Sequence, residues 1–111
     1  MLENERLMRM FGLARKAGRL SYGYETVEAL MKENKAKAVF LSSESSERVK
    51  RNIKRISEEM RCPVFLIADS MAEIGHAIGS KPTSVVALTD SGFADAARKL
   101  IDLPQTDDKE E

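Results

Sequence analysis

The run Lys-Ala-Val-Phe-Leu at residues 37–41 is short, nearly continuous in apolar side chains and flanked by polar segments. Such a run predicts a strand covered on both faces, since a strand with one wet face would alternate apolar and polar residues. Residues 64–68, Val-Phe-Leu-Ile-Ala, and residues 85–88, Val-Val-Ala-Leu, have the same character. The chain therefore contains three predicted strands that need helices on either side.

Segments with helical periodicity alternate with these strands. In each segment apolar residues recur every three or four positions, which places them on one face of a helix. The predicted helices cover residues 3–17, 24–34, 46–60, a segment between Ser70 and Gly79, and 93–101; residues 20–22 are a very short extra strand. Alternating strands and helices predict an α/β fold, a three-layer α/β/α sandwich with a roughly four-stranded mixed sheet and helices on both faces.

Two apolar series repeat at helical spacing in the first helix. One consists of Leu7, Phe11 and Ala14, and the other of Met10, Leu13 and Ala17. In the last helix we expect the inward side chains to be Phe93, Ala96, Ala97 and Leu100.

Length and composition are those of an ordinary globular protein. The 111 residues are enough for one core, and we expect a single, monomeric domain over residues 1–103. The acidic composition after Pro104 predicts a disordered tail at residues 104–111. The sequence has no apolar run of 18 residues, and its charged N-terminus lacks the apolar block of a signal peptide. We therefore expect a cytoplasmic protein without a membrane segment.

The formal net charge of zero hides an asymmetry. Residues 102–111 hold five acids and one base, so the rest of the chain holds 13 of the 18 acids and 17 of the 18 bases. A mildly basic body with an acidic tail is compatible with a nucleic-acid binder, although many other soluble proteins share this pattern.

The sequence lacks the usual signatures of catalysis. It has no glycine-rich phosphate loop, no dinucleotide-binding fingerprint and no nucleophile elbow. Cys62 and His76 are the only residues of their types, and a single cysteine with a single histidine cannot build a usual structural metal site. Cys62, before a proline at the start of a strand, is more typical of a small apolar filler than of a nucleophile. We predict no enzyme activity, no metal and no cofactor.

Residues 21–30 run from small polar residues into an amphipathic helix, with Gly23 as the predicted cap. Glu25 then lies in the first helical turn, beside free backbone N–H groups. Two interpretations stay open. The carboxylate either complements the helix dipole, worth about 0.3–1 kcal/mol, or forms a recognition edge together with the N–H donors.

The basic residues also allow two interpretations, a structural role or contacts with phosphates. Arg15, Lys16 and Arg19 cluster where the first helix ends, a position that is favourable for cations and equally suited to phosphate contacts. The basic residues between Arg48 and Arg55 lie mostly away from the buried stripe of the third helix, and a solvated charged face explains them adequately.

Three consecutive segments resemble a known family. They are Glu-Ile-Gly-His-Ala-Ile-Gly at 73–79, Ser-Lys-Pro-Thr-Ser at 80–84 and Val-Val-Ala-Leu-Thr-Asp-Ser-Gly at 85–92. Their order resembles the kink-turn RNA-binding family of small ribosomal proteins, the L7Ae and L30e type. Residues 35–39 resemble the start of a strand in that family, and residues 11–20, Phe-Gly-Leu-Ala-Arg-Lys-Ala-Gly-Arg-Leu, resemble its bacterial YlxQ-type branch.

The resemblance implies binding of kinked RNA. In that family the turn that opens the second helix meets sheared G·A pairs, and Glu25 matches the carboxylate that accepts guanine N–H groups. The proline-containing loop covers a flipped-out nucleotide, and basic residues neutralise phosphates. The complete predicted RNA-binding set is Arg15, Lys16, Arg19, Gly23, Tyr24, Glu25, Lys37, Ser43, Glu44, Lys81, Pro82, Thr83 and Ser84.

Two positions depart from the family pattern. The best-studied relatives have an asparagine just before the glutamate and a lysine three residues after it, where this chain has Tyr24 and Glu28. The loss of a donor and the reversal of a charge should weaken the major-groove contact or change its preference. The leading hypothesis is a non-enzymatic RNA-binding protein in a ribosome-associated or regulatory role. The alternative is a protein–protein adaptor that meets an acidic partner with the basic face of its third helix.

Overall fold

The computed structural model describes residues 2–102, which fold around one mixed sheet with helices on both faces. The elements are α1 (Leu2–Lys16), β1 (Leu20–Tyr22), α2 (Tyr24–Lys32), β2 (Ala38–Ser42), α3 (Glu47–Met60), β3 (Val64–Ile67), α4 (Met71–Ile78), β4 (Val85–Leu88) and α5 (Ser91–Asp102). The strand order is β1-β4-β2-β3. β4 is antiparallel to β1 and β2, whereas β2 and β3 are parallel. The predicted three-layer α/β/α fold is confirmed; the predicted tail at 104–111 lies outside the described residues.

Alternate residues of the central strands belong to different cores. Phe40 of β2 and Val86 of β4 face α1, α4 and α5, whereas Val39 and Val85 face α2 and α3. Because neighbours along a strand point to opposite faces, a strand that is buried on both faces must be apolar at nearly every position. This explains the continuous apolar runs of β2 and β4, in which every residue is buried.

β3 differs from this expectation because it is an edge strand. Among the described strands only β2 pairs with it, and the side chain of Leu66 is 60% exposed. Val64 and Phe65 are only half-buried. The prediction that residues 64–68 are covered on both faces is therefore wrong. An apolar run shows that a strand exists, but its place in the sheet order depends on non-local pairing.

α1 buries one of its two apolar series fully and, of the other, packs only Met10 partly against the core. Leu7, Phe11 and Ala14 are buried, whereas Leu13 is 57% exposed. The reason is that α1 packs against the sheet with α4 and α5 at its sides, which leaves its outer face uncovered. No helix within residues 2–102 has both the length and the apolar character needed to cross a bilayer.

Helix ends lie close to the positions that local sequence predicts. The spacing of Ser70 and Glu73, Ser-x-x-Glu, is that of a capping box, and α4 begins with one: the hydroxyl of Ser70 accepts a hydrogen bond from the Glu73 backbone N–H at 3.0 Å, and the Glu73 carboxylate accepts one from the Ser70 N–H at 2.7 Å. α5 begins two residues earlier than predicted. The carboxylate of Asp90 caps it by accepting from the Phe93 N–H at 3.0 Å.

Candidate nucleic-acid interface

One edge of the sheet gathers most of the predicted binding segments. Tyr22 pairs with Val86, Leu41 with Val85, and Ser42 with Ile67. The last residues of β1, β2 and β3 therefore lie beside the first residues of β4. We call this side of the molecule the loop edge; it consists of residues 23–25, 43–46, 68–70 and 81–84.

Backbone hydrogen bonds tie these loops together. The N–H of Gly23 donates to the carbonyl of Val85 at 3.0 Å, which fixes the start of α2 against the start of β4. The carbonyl of Ser84 accepts from the Ser42 N–H at 2.8 Å and from the hydroxyl of Ser45 at 3.4 Å. The loop edge is thus a connected framework, in which each segment fixes the position of the next.

The start of α2 is open to a ligand. Gly23 holds the cap position with φ 94° and ψ 143°, a left-handed conformation that favours glycine, and it offers no side-chain cap. The first N–H groups of a helix have no partner within the helix, so they are available here. The carboxylate of Glu25 is exposed and makes no hydrogen bond or ion pair with any other residue in the part of the chain that the structure describes.

The Tyr24 side chain is fixed by contacts with other residues of the protein. It is half-buried against the core of α2 and α3, and its hydroxyl accepts a hydrogen bond from the Asn52 amide at 3.1 Å. The same hydroxyl lies 3.4 Å from the Glu28 carboxylate, to which it can donate, and Glu28 also pairs with Lys32 at 3.4 Å. Both residues that depart from the family pattern are therefore engaged with the protein itself.

The loop at residues 81–84 folds back along α4. A Cβ atom at Gly75 would lie 2.9 Å from the Cα of Pro82, so only glycine allows the loop to approach the helix so closely. Thr83 is buried; its N–H donates to the carbonyl of Met71 at 3.2 Å. Lys81 and Pro82 are exposed. The loop is anchored through Thr83 and presents Lys81 and Pro82 to solvent.

Ser43 and Glu44 lie between that loop and α4. The Ser43 N–H donates to the carbonyl of Ile67 at 2.8 Å, and its side chain is exposed. The carboxylate of Glu44 accepts from the Met71 N–H at 3.0 Å and so adds a second cap to α4. Glu44 is exposed, but its carboxylate already makes a hydrogen bond that caps α4.

The basic residues that were predicted to contact phosphates do not all lie on the same side of the molecule. The guanidinium of Arg15 donates to the carbonyl of Ile78 at 2.9 Å and lies 4.7 Å from the centroid of the Tyr22 ring, one residue from the loop edge. Lys16 ends α1 and is exposed. Arg19 and Lys37 belong to the opposite edge of the sheet.

Backbone hydrogen bonds at the end of β4 explain why Arg19 and Lys37 lie at the opposite edge. The Thr89 N–H donates to the carbonyl of Arg19 at 3.0 Å, and the Lys37 N–H donates to the carbonyl of Leu88 at 2.8 Å. Both basic residues therefore flank the end of β4, whereas the loop edge lies at its beginning. The structure does not bring them together with Glu25.

Arg48 is a candidate that the sequence set lacks. It lies in the first turn of α3 and is exposed. Because it precedes Asn52 by four residues, it lies on the same side of α3, one turn nearer the loop edge. Asn52 contacts Tyr24, so this side of α3 faces the start of α2. The four-residue spacing is visible in the sequence, but its meaning depends on the packing of α2 against α3.

Cys62 and His76 are far apart. Cys62 is buried in the core of α2 and α3, where its thiol donates to the carbonyl of Ala36 at 3.4 Å and burial raises its pKa. His76 is exposed on α4, on the other face of the sheet. This geometry does not make a nucleophile–base pair.

Comparison with known sequences identifies similar proteins along most of the chain. The model of the family described as "Ribosomal protein L7Ae/L30e/S12e/Gadd45 family" matches residues 5–98. The RNA-binding protein YlxQ of Enterococcus faecium is 38% identical over 98 residues, covering 88% of this chain and 93% of that protein. The RNA-binding protein YlxQ of Bacillus subtilis (strain 168) is 29% identical over 93 residues, covering 84% of this chain and 92% of that protein.

Solved structures have the same fold. A protein with unknown function from Bacillus halodurans C has a TM-score of 0.81 and 27% identity, and the match covers 86% of this chain and 96% of that one. The Giardia lamblia 15.5kD RNA binding protein has a TM-score of 0.75 and 13% identity, with 91% and 86% covered. At 13% identity the second match is a likeness of fold alone.

Proposed function

This chain belongs to the ribosomal protein L7Ae/L30e/S12e/Gadd45 family, and on that premise we propose that it binds kinked RNA, of the kink-turn type, at the loop edge. One observation carries the proposal. The exposed carboxylate of Glu25, the uncapped start of α2 and the exposed pair Lys81 and Pro82 lie on the same edge of the sheet. Supporting it, the two YlxQ relatives are named as RNA-binding proteins.

The chemistry of the start of α2 suits the edge of a guanine. The Glu25 carboxylate is an acceptor for base N–H groups, and the N–H groups of the first helical turn are donors for base or backbone oxygens. In a regular RNA helix the deep, narrow major groove keeps side chains away from these base edges. A kink opens the groove, so Glu25 would reach bases in bent RNA but not in a straight duplex.

The remaining surface of the loop edge would hold the unstacked part of the RNA. Lys81 and Pro82 form an exposed, anchored surface on which a flipped-out nucleotide can lie, and the exposed Ser43 follows Ser42, whose N–H donates to the Ser84 carbonyl of the same loop. Arg15, Arg48 and Lys81 bring positive charge to this side of the molecule, and cations at such positions neutralise phosphates. These contacts would set affinity, whereas Glu25 would set the preference for kinked RNA.

The role we propose is non-enzymatic. The exposed groups of the loop edge are backbone and hydroxyl donors, the carboxylate acceptors of Glu25 and Glu44, and the cation Lys81, which are groups that bind and position RNA. We propose a ribosome-associated or regulatory role, in the cytoplasm, for a monomeric protein whose partner is a folded RNA.

Titration of the full chain against two RNAs tests the proposal. One is a kink-turn RNA, and the other is a straight duplex of the same length and base composition. Each is titrated at about 50 and about 200 mM salt, because phosphate contacts make affinity salt-dependent. We expect the kink-turn RNA to bind at least about tenfold more tightly than the duplex at both salt concentrations, since one good base contact is worth about 1–3 kcal/mol. Equal affinities would contradict kink recognition. Binding of neither RNA would favour the alternative of a protein–protein adaptor.

A further inference from the structure

A second carboxylate lies close to Glu25 on α2. Glu28 follows it by three residues, a spacing that places two side chains on the same side of a helix, about 4.5 Å apart along its axis. That separation is on the order of one base step in a nucleic acid. The side chain of Glu28 keeps 27% of its surface exposed. A base next to those that Glu25 contacts would therefore lie within reach of Glu28.

The protein holds one oxygen of this carboxylate and leaves the other without a partner. Oε2 accepts a hydrogen bond from the Tyr24 hydroxyl at 3.4 Å, and the Asn52 amide in turn fixes that hydroxyl at 3.1 Å. The ammonium group of Lys32 also lies 3.4 Å from Oε2. Oε1 makes no hydrogen bond or ion pair with another residue among those that the structure describes. The carboxylate is thus oriented in advance with one acceptor left for a ligand, which reduces the entropy lost on binding.

Lys32 also offsets the negative charge of Glu28. An unpaired carboxylate beside RNA would repel phosphates, whereas the pair of Glu28 and Lys32 is close to neutral. The Lys32 side chain is 57% exposed, so its ammonium group can face the RNA backbone while it stays near Oε2. Because Lys32 belongs to α2 itself, this contact would remain if the Tyr24 hydroxyl were lost.

The edges of the four bases in the major groove differ in what they offer to an acceptor. Cytosine presents an amino group at N4, whereas guanine presents the acceptors O6 and N7, and uracil presents the acceptor O4. Adenine has an amino group at N6, but the acceptor N7 lies next to it. A carboxylate oxygen only accepts, so it matches cytosine best, adenine less well, and guanine and uracil not at all.

We propose that Glu28 determines specificity by accepting, through Oε1, a hydrogen bond from the N4 amino group of a cytosine in the base pair that adjoins the bases contacted by Glu25. The proposal rests on the RNA binding proposed above and adds a sequence requirement to it. Hydrogen bonds to an ionised acceptor are about twice as strong as those between neutral groups. Glu25 would then select the kink, and Glu28 would select one base pair beside it.

Four kink-turn RNAs that differ in a single base pair test the proposal. The varied pair is the first Watson–Crick pair beyond the sheared G·A pairs, and it is C–G, G–C, A–U or U–A. Each RNA and a straight duplex are titrated with the parent chain at about 50 mM salt. We expect one orientation of the C–G pair to bind at least about fivefold more tightly than the reverse, because the reverse presents guanine to Glu28. The pair with adenine in place of that cytosine should have an intermediate affinity.

Glu28→Gln is the decisive variant. Its amide oxygen can replace Oε2 against Tyr24 and Lys32, which places the amide nitrogen where Oε1 was. An acceptor thus becomes a donor, so the preference for cytosine should be lost or reversed. Glu33→Gln removes an exposed carboxylate at the other end of α2 and should keep the preference of the parent.

The outcomes separate this proposal from the proposed function. Equal affinities of the parent for the C–G and G–C RNAs would overturn the role of Glu28, and so would a preference that persists unchanged in Glu28→Gln. A difference in folding between the RNAs would affect parent and variant alike, so the change between the two proteins is the quantity that decides. If none of the four kink-turn RNAs binds more tightly than the duplex, the proposed function fails, and the role of Glu28 fails with it.

Discussion

The hydroxyl of Tyr24, at the start of α2, accepts a hydrogen bond from the side-chain amide of Asn52 on α3 at 3.1 Å. This contact joins the two helices that cover one face of the sheet. It also engages the polar end of Tyr24 with α3. The Tyr24 hydroxyl is therefore part of the packing of α2 against α3.

Removing that hydroxyl should therefore affect stability more than binding. Tyr24→Phe leaves the Asn52 amide without this acceptor, and we expect the free energy of unfolding to fall by about 0.5–1.5 kcal/mol. Kink-turn affinity should stay within about twofold. Urea unfolding and RNA titration on the same preparation measure both quantities. A large loss of affinity with unchanged stability would show that the hydroxyl contacts RNA.

Glu25→Gln tests the proposed base contact directly. The amide keeps the shape of the side chain but replaces one acceptor oxygen by a donor, so kink-turn affinity should fall by about 5- to 150-fold, or ~1–3 kcal/mol. Affinity for a straight duplex should change little or rise slightly, because a negative charge is lost. Glu33→Gln is the matched control, at the other end of α2. If Glu25→Gln keeps the kink preference, the carboxylate only complements the helix dipole.

Lys81 and Lys37 form a matched pair, since both are exposed lysines but lie on opposite edges of the sheet. Lys81→Gln should weaken binding to both RNAs and reduce the slope of log affinity against log salt by about 0.7–0.9, the contribution of one phosphate contact. Arg48→Gln should behave in the same way. Lys37→Gln should leave affinity and slope unchanged. Equal effects of the two lysine variants would mean that RNA extends beyond the loop edge.

Gly75→Ala reverses an ordinary expectation. In a helix interior, alanine is normally more stable than glycine by about 0.5–1 kcal/mol. Here the added Cβ would lie 2.9 Å from the Cα of Pro82, so the loop must move. We expect Gly75→Ala to lower both the melting temperature and kink-turn affinity, as measured by thermal unfolding and titration. A more stable variant with unchanged affinity would show that the loop yields without cost.

Asp69→Asn should change how stability depends on pH. Burial raises the pKa of Asp69, and the charge of Glu73 raises it further, whereas a hydrogen bond from its own backbone opposes the shift. In the unfolded chain an aspartate titrates near about 3.9. The stability that the protonated carboxyl contributes is therefore present below that pH and is lost as pH rises through the folded pKa.

The asparagine side chain does not ionise, so Asp69→Asn should melt at a higher temperature than the parent at pH 7. The difference should shrink as the pH falls through the raised pKa of the folded Asp69 carboxyl, and it should vanish below the unfolded value of about 3.9, where the parent carboxyl is protonated in both states. Asp95→Asn, at an exposed position, controls for the general loss of one charge. A constant difference between parent and Asp69→Asn at all pH values would show that ionisation of this group does not matter for folding.

Most of the fold could be predicted because its signals are local. Strands buried on both faces are continuous in apolar residues, and the start of α4 is marked by its own Ser70 and Glu73. The family and its YlxQ-type branch, predicted from the order of several short motifs, are confirmed. The position of β3 at the edge, and hence the exposure of Leu66, depends on the pairing of strands that are distant in sequence.

The candidate site, like the fold, can be predicted from the sequence only in part. The loop at 81–84 and the start of α2 are recognisable as contiguous segments, and the structure places them side by side. In the sequence Arg19 and Lys37 are equally suitable as phosphate contacts, but the antiparallel pairing of β4 puts them at the other end of the sheet. Arg48 was missed because only the packing of α2 against α3 gives it a place near Glu25.

The open edge of β3 has a consequence for handling the protein. In the parallel pairing with β2, the Val39 N–H reaches the Pro63 carbonyl and the Ser43 N–H reaches the Ile67 carbonyl, so the backbone of Leu66 points outward. An outward N–H and carbonyl beside an exposed leucine can template the addition of a foreign strand. The strand has only four residues, which limits such growth. Aggregation of this protein at high concentration would therefore begin at Leu66, the exposed apolar side chain of this strand.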